Sequence, residues 1–211
     1  MTDGFGELLR RLPVAEAVRA DLRRRLCDPA RAYHGRAHVA LLWRRHRRFG
    51  RGLPVTAEPW DTRLACAIAF HDAVWKPGGR DNEAASAALW RHAGAALDRA
   101  GIDWVADTIL ATADHLGATQ PPGLAAAAWQ ARLWMLDLDL TPLGEPPHRF
   151  AANASSLRRE AAHLPVADYE AGRLGFLAHL AAAPALYRSA RLARAFAAQA
   201  RANLARELAV A

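Results

Sequence analysis

Apolar residues along this chain recur at three- and four-residue intervals rather than in alternation. No Asn-Gly or Asp-Gly hairpin turn stands between apolar runs. The pattern predicts an all-α protein, a helical bundle of about eight helices. The first is expected from Pro13, a residue suited to an opening helical turn, to about Leu26, where Asp28-Pro29 breaks it. A second covers about Gly35 to Phe49, with Val39, Leu42 and Trp43 on one stripe, and the Gly- and Pro-bearing stretch 50–54 ends it. Pro59 opens the next, which carries His71-Asp72 until Pro77-Gly78-Gly79. Asp81 is a suitable N-cap for a helix from Asn82 to about Ala100. Asp103 is suited to cap one that bears Thr112, Asp114 and His115 and ends near Gly117. After a Gln120–Gly123 loop, a helix from about Leu124 to Leu140 is stopped by Thr141-Pro142 and Gly144. Three more stretches follow, about His148–His163, Val166–Ala182 and Ala185–Val210. The last is Ala/Arg-rich and amphipathic, which leaves open packing on its own domain or on a second copy, a homo-oligomer. No repeat or linker divides the chain. The expectation is one domain over residues 1–211, with a functional core at about 30–145 and C-terminal helices at about 146–211.

Composition narrows the setting. Among 211 residues, 52% are hydrophobic and 23% charged, the balance of a globular chain rather than a disordered one. No apolar run approaches the roughly 18 residues of a membrane span, so no membrane partner is expected. The start lacks a basic segment followed by an apolar one. Cys27 and Cys66 form no CxxC pattern and are too few for a disulfide framework, so the expected setting is cytoplasmic with reduced thiols. A net charge of +7 raises a nucleic-acid reading, but Lys76 is the sole lysine. An Arg- and Ala-rich composition also follows from GC-rich coding. The one basic cluster, Arg44, Arg45, Arg47 and Arg48 around His46, is expected to form a solvated helix face. Nucleic acid is therefore not the expected partner.

Four stretches set ionisable groups into apolar surroundings. Phe70-His71-Asp72-Ala73-Val74-Trp75 does so most sharply, because an unpaired buried charge costs several kcal/mol. Such a pair is either hydrogen-bonded within a core or turned toward something positive. The others are Tyr33-His34-Gly35-Arg36-Ala37-His38, Thr112-Ala113-Asp114-His115 and Leu136-Asp137-Leu138-Asp139-Leu140. His34 and His38, four apart, share a helix face. Asp137 and Asp139, two apart, point to nearly opposite sides, so only one should address a given site. Satisfied polar groups would explain each stretch singly. A shared cation explains all four together, by compensating otherwise costly carboxylates.

The order His38, then His71-Asp72, then a distal Asp resembles the H…HD…D pattern of the HD-domain superfamily of metal-dependent phosphohydrolases. Tyr33-His34-x-x-x-His38 is similar to the opening motif of the cyclic nucleotide phosphodiesterases, and Asp139-Leu140-Thr141 to their distal-ligand segment. The stretches Phe70–Trp75, Asp81-Asn82-Glu83-Ala84-Ala85-Ser86-Ala87 and Asp137–Gly144 resemble a bacterial branch of predicted HD-superfamily phosphohydrolases. The resemblance spans about Tyr33 to Tyr187 and implies an HD-domain-like helical bundle.

It also implies His38, His71, Asp72 and Asp139 as ligands of a divalent ion (Mn, Fe, Co, Ni, Zn or Mg), with Asp137 as the alternative distal ligand. His34, Asp72 and Glu83 would be the catalytic set. His34 would donate a proton to the leaving group, a task suited to a group titrating near neutrality. Glu83 and Asp81 would be the acidic residues that orient the attacking water or meet substrate or a second metal; equally, Asp81 is suited to cap a helix with Glu83 in its first turn. Lys76 and Arg80 could meet a phosphate, as could Arg158 and Arg173, for which an internal salt bridge is the alternative. His115 is either an additional ligand for a second metal or a pocket residue. The implied partner is a small phosphorylated substrate such as a nucleotide. Two other readings stay open: a non-catalytic HD-like module that binds a nucleotide or nucleic acid, and an all-α scaffold with satisfied core polar groups.

Overall fold

A computed structural model describes residues 3–209 and contains ten helices and, among the described residues, no strand. They are α1 (Gly4–Arg11), α2 (Glu16–Leu26), α3 (Arg36–Phe49), α4 (Trp60–Phe70), α5 (Asn82–Arg91), α6 (Arg99–Ala111), α7 (Ala126–Leu140), α8 (Pro147–Glu160), α9 (Val166–Ala182) and α10 (Ala190–Ala209). The bundle is all-α, as the apolar spacing predicts. The final helix was expected to reach Val210, a position outside the described residues.

The core forms around α4, whose residues from Leu64 to Phe70 are all buried. Residues this uniformly apolar cannot present a wet face, so neighbours close on every side. α6, α7, α3 and α1 all pack against α4. One apolar cluster runs from Phe5 to Leu204. By contrast, α8 buries only Phe150 and Glu160, and α9 only Leu177 and Leu180. These two helices flank the core, α9 packed on α10 and α8 on the 3-10 turn Thr141–Gly144.

Several helix limits differ from those the sequence suggests. α1 was not foreseen, since Gly4 and Gly6 weaken its intrinsic helicity. Tertiary burial of Phe5, Leu8 and Leu9 and capping of Phe5 N–H by Asp3 carry it instead. The stretch expected over Asn82–Ala100 stops at Arg91, and a bend through Gly94, at φ +61°, separates it from α6. The α6 cap is Asp98, which accepts from Gly101 N–H at 2.8 Å, whereas Asp103 lies inside the helix and meets Arg99. Asp81 occupies the N-cap position of α5 but makes no capping hydrogen bond. The helix expected to carry His71-Asp72 ends at Phe70, and both residues sit in the turn that follows.

The basic cluster on α3 also differs from the expected solvated face. Arg45 and His46 point inward, because α3 is enclosed on more than one side. Arg45 is balanced there by Glu145 and by Thr141 Oγ1 at 2.7 Å. His46, fully buried, meets Asp61 at 2.8 Å and accepts from Trp134 Nε1 at 3.0 Å. Only Arg44, Arg47 and Arg48 remain exposed.

Candidate metal centre

Four chain segments converge at one end of α4. Gly35 begins α3 where a Cβ would lie 3.0 Å from Leu26 O and 3.1 Å from Arg31 O. The absent side chain lets the Tyr33-His34 turn press against the preceding loop. Arg31 fixes that turn to the one after α4. Its guanidinium donates to His34 O at 3.2 Å, to Ala73 O at 3.0 Å and to Asp72 O. From α5, Ser86 Oγ accepts from Val74 N–H at 3.0 Å. Asn82 Oδ1 accepts from Lys76 N–H at 2.9 Å, and its Nδ2 donates to Lys76 O at 3.0 Å. The turn that presents His71 and Asp72 is thus held from both sides.

Asp139 arrives from the last turn of α7. Asp137, two residues earlier, faces the other way and accepts Arg188 N–H at 3.0 Å and Ser189 N–H at 2.5 Å just before α10. Of the two aspartates, Asp139 is the one whose carboxylate joins His38 and His71. Burial pushes the Asp137 carboxyl up to about 6 despite those two N–H donors.

At the convergence, His38 Nε2 lies 2.9 Å from Asp139 Oδ1 and 3.3 Å from His71 Nε2. His71 Nε2 is 3.5 Å from Asp139 Oδ1 and 3.1 Å from Asp72 Oδ2, which in turn is 3.7 Å from His38 Nε2. One donor atom each from His38, His71 and Asp139 lies within 4.8 Å of the others, a group that can hold a metal ion. Bond lengths of 2.0–2.1 Å place neighbouring ligand atoms about 2.9–3.4 Å apart in tetrahedral or octahedral geometry. Most of the distances fall in or beside that interval.

Two further observations bear on whether the residues fit an ion. His71 Nδ1 faces Ile68 O at 3.0 Å, and a carbonyl can only accept, so the ring proton sits there and the Nε2 lone pair faces the cluster. Asp72 Oδ2 is buried and has no hydrogen-bond partner among the described residues. A buried carboxylate oxygen without a donor is costly unless positive charge meets it. Burial alone would lower the His71 pKa, but Asp72 and Asp139 override it and hold it well above the ordinary value. Burial opposes ionisation of the two carboxylates as well, yet His71 above all holds both below the usual range.

Around this cluster opens a cavity of about 240 Å³. His115, brought in by the 3-10 turn Thr112–Asp114, places Nε2 2.8 Å from Asp139 Oδ2 and lines the cavity. Glu83 lines it too, from the first turn of α5. Arg173 reaches the wall from α9, but its guanidinium is taken by Glu207. Lys76, Arg80 and Asp81 are exposed and stand outside the wall. Arg158 closes the end of α8 by donating to Ala161 O at 2.6 Å and Leu164 O at 3.3 Å.

His34 has the most elaborate support. Trp75 stacks on its ring at 3.6 Å between centroids. Glu160 meets its Nδ1 at 2.6 Å and also accepts the backbone N–H groups of Tyr33 at 2.8 Å and His34 at 2.9 Å. Burial alone would raise the Glu160 pKa, but these donors, His34 first, hold it below the ordinary value.

Sequence reasoning missed Glu160 and Arg31. Glu160 follows Arg158 directly in Leu157-Arg158-Arg159-Glu160, a stretch noticed for its arginines. Only the fold shows that α8 ends against the His34 turn.

Comparison with models of protein families, with curated proteins and with solved structures gave no match. The reading of the site therefore rests on its own geometry. Elsewhere among the described residues, no helix is long and apolar enough to cross a membrane.

Proposed function

We propose that this chain is a metal-dependent phosphohydrolase of the HD-domain type, acting on a small phosphate ester. The observation that carries the reading is the buried meeting of His38, His71, Asp72 and Asp139, with an unpartnered Asp72 oxygen beside two imidazole Nε2 atoms. These four residues would hold the ion. Two nitrogens with two carboxylate oxygens suit a first-row divalent metal or Mg. The chemistry such an ion supplies when bound is polarisation of phosphoryl oxygens and acidification of water.

The chain's own residues do the remainder. Glu160 keeps the His34 proton on Nδ1 when the ring is neutral and steadies the imidazolium when it is charged. Trp75 fixes the ring plane. His34 would then give a proton to the ester oxygen as its bond to phosphorus breaks and the water oxygen bonds to phosphorus. The proton released by that water restores His34, so ester and water become alcohol and phosphate. Glu83, on the cavity wall, would accept a hydrogen bond from the water.

Protein loaded with Mn, Co or Zn is expected to hydrolyse model phosphate esters and to unfold at a higher temperature than chelated protein, because an ion bound only by the native state stabilises it. Asp72→Ala should lose metal and activity together. Full metal occupancy in Asp72→Ala, or a thermal midpoint indifferent to chelator, would remove the basis of the proposal.

A further inference from the structure

The cavity wall away from the carboxylates belongs to α8, α9 and the 3-10 turn Thr141–Gly144. Leu143, Phe150, Leu157, Phe176 and Leu177 line it. Phe176 keeps 55% of its surface open at the rim, an unusual position for a phenylalanine with no protein neighbour covering it.

The wall is also poor in available positive charge. Its one guanidinium, Arg173, already meets Glu207. Lys76 and Arg80, the nearby cations in sequence, stand outside, while Glu83 adds a carboxylate within. A phosphate placed at the histidine end finds compensation there and nowhere else in the cavity. A second or third phosphate would meet apolar side chains and the neutral Asn153 amide rather than a free cation, which leaves its charge uncompensated. The volume of about 240 Å³ falls below the roughly 300–1,000 Å³ common for larger ligands.

Resting on the phosphohydrolase reading, we infer that this site takes an ester with a single phosphoryl group and a compact, flat apolar body, and rejects polyphosphates. The apolar body lies against Phe176 and Leu177, and the phosphoryl group against the His/Asp cluster.

The test uses Mn-loaded full-length protein with two readouts. Hydrolysis of 1-naphthyl phosphate, methyl phosphate, ATP and tripolyphosphate gives relative kcat/KM. Calorimetry with 1-naphthylmethylphosphonate, which cannot be hydrolysed, gives binding alone. The expected result is a kcat/KM for naphthyl phosphate at least tenfold above each of the others. The phosphonate should bind, with Kd weakened about tenfold by Phe176→Ser and little changed by Phe176→Leu. Metal content should be equal in all three proteins.

Cleavage of ATP or tripolyphosphate within tenfold of naphthyl phosphate overturns the inference while upholding the hydrolase reading. A phosphonate affinity unchanged by Phe176→Ser also overturns it. Phosphonate binding that depends on Phe176, with no ester cleaved, supports the inferred ligand class and removes the hydrolase reading alone.

Discussion

His34 lies outside the group of His38, His71 and Asp139 that can hold an ion, yet Glu160, Trp75 and Arg31 converge on its turn. That investment is expected for a side chain whose orientation matters chemically, since neighbours of a reactive imidazole set its tautomer and aim. Glu160→Gln keeps the shape and one acceptor oxygen but removes the charge on Nδ1. It should lower kcat roughly tenfold for an ester with a poor leaving group, with KM and metal content unchanged. For p-nitrophenyl phosphate, whose leaving oxygen needs no proton, the effect should nearly vanish. Equal losses on both substrates would reduce Glu160 to a structural tether. The sequence exposes His34 because histidines four apart draw notice. It conceals Glu160 and Arg31, whose roles arise from contacts across 126 and 41 positions.

Elements explain how far the pattern of residues could carry. α9 and the C-terminal ends of α3 and α7 lie where apolar spacing and Pro or Gly stops suggest. The end of α4 does not, because nothing in Phe70-His71-Asp72-Ala73 forbids another helical turn. His71 itself keeps helical backbone angles as the C-cap, and the chain leaves the helix only after it. There His71 and Asp72 bring Nε2 and Oδ2 within 3.1 Å. α7 behaves oppositely: its helical periodicity correctly separates Asp137 from Asp139, and only the start of α10 shows which one is occupied elsewhere. Asp137→Ala orphans two N–H groups and should cost about 2–4 kcal/mol in urea unfolding while metal binding persists. Asp139→Ala should do the reverse, losing metal with the bundle intact. Metal loss in Asp137→Ala with retention in Asp139→Ala would mean the two roles are exchanged.

For the molecule as a whole, the net charge of +7 is carried at the surface, where exposed arginines outnumber exposed carboxylates, while several other arginines serve the interior. Arg45 is buried, Arg31 and Arg188 act as internal struts to backbone carbonyls, and Arg11 and Arg47 meet Asp61. Asp61 joins α4 to α1 and α3 through these partners and His46. Burial would raise its pKa, but His46, Arg11 and Arg47 win, and the folded value is depressed. A depressed carboxylate contributes stability that is complete above its unfolded pKa of about 3.9 and is lost as pH falls toward the folded value. Asp61→Asn should therefore unfold about 2–3 kcal/mol more easily at pH 7, with the gap to the parent narrowing below about pH 3.9. Urea titrations at pH 7 and pH 3 measure both, and a gap that widens in acid would contradict the assignment.

The sparse burial of α8 and α9 has a consequence for how such a protein can diversify. The rear of the cavity belongs to α3, α4 and α7, whereas its front belongs to residues 147–182, which bury few side chains of their own. Exchanging the side chains of that front would retune which molecules are admitted without touching the His/Asp cluster. One condition limits the exchange: any replacement must return a carboxylate to the Tyr33-His34 turn, where Glu160 now stands.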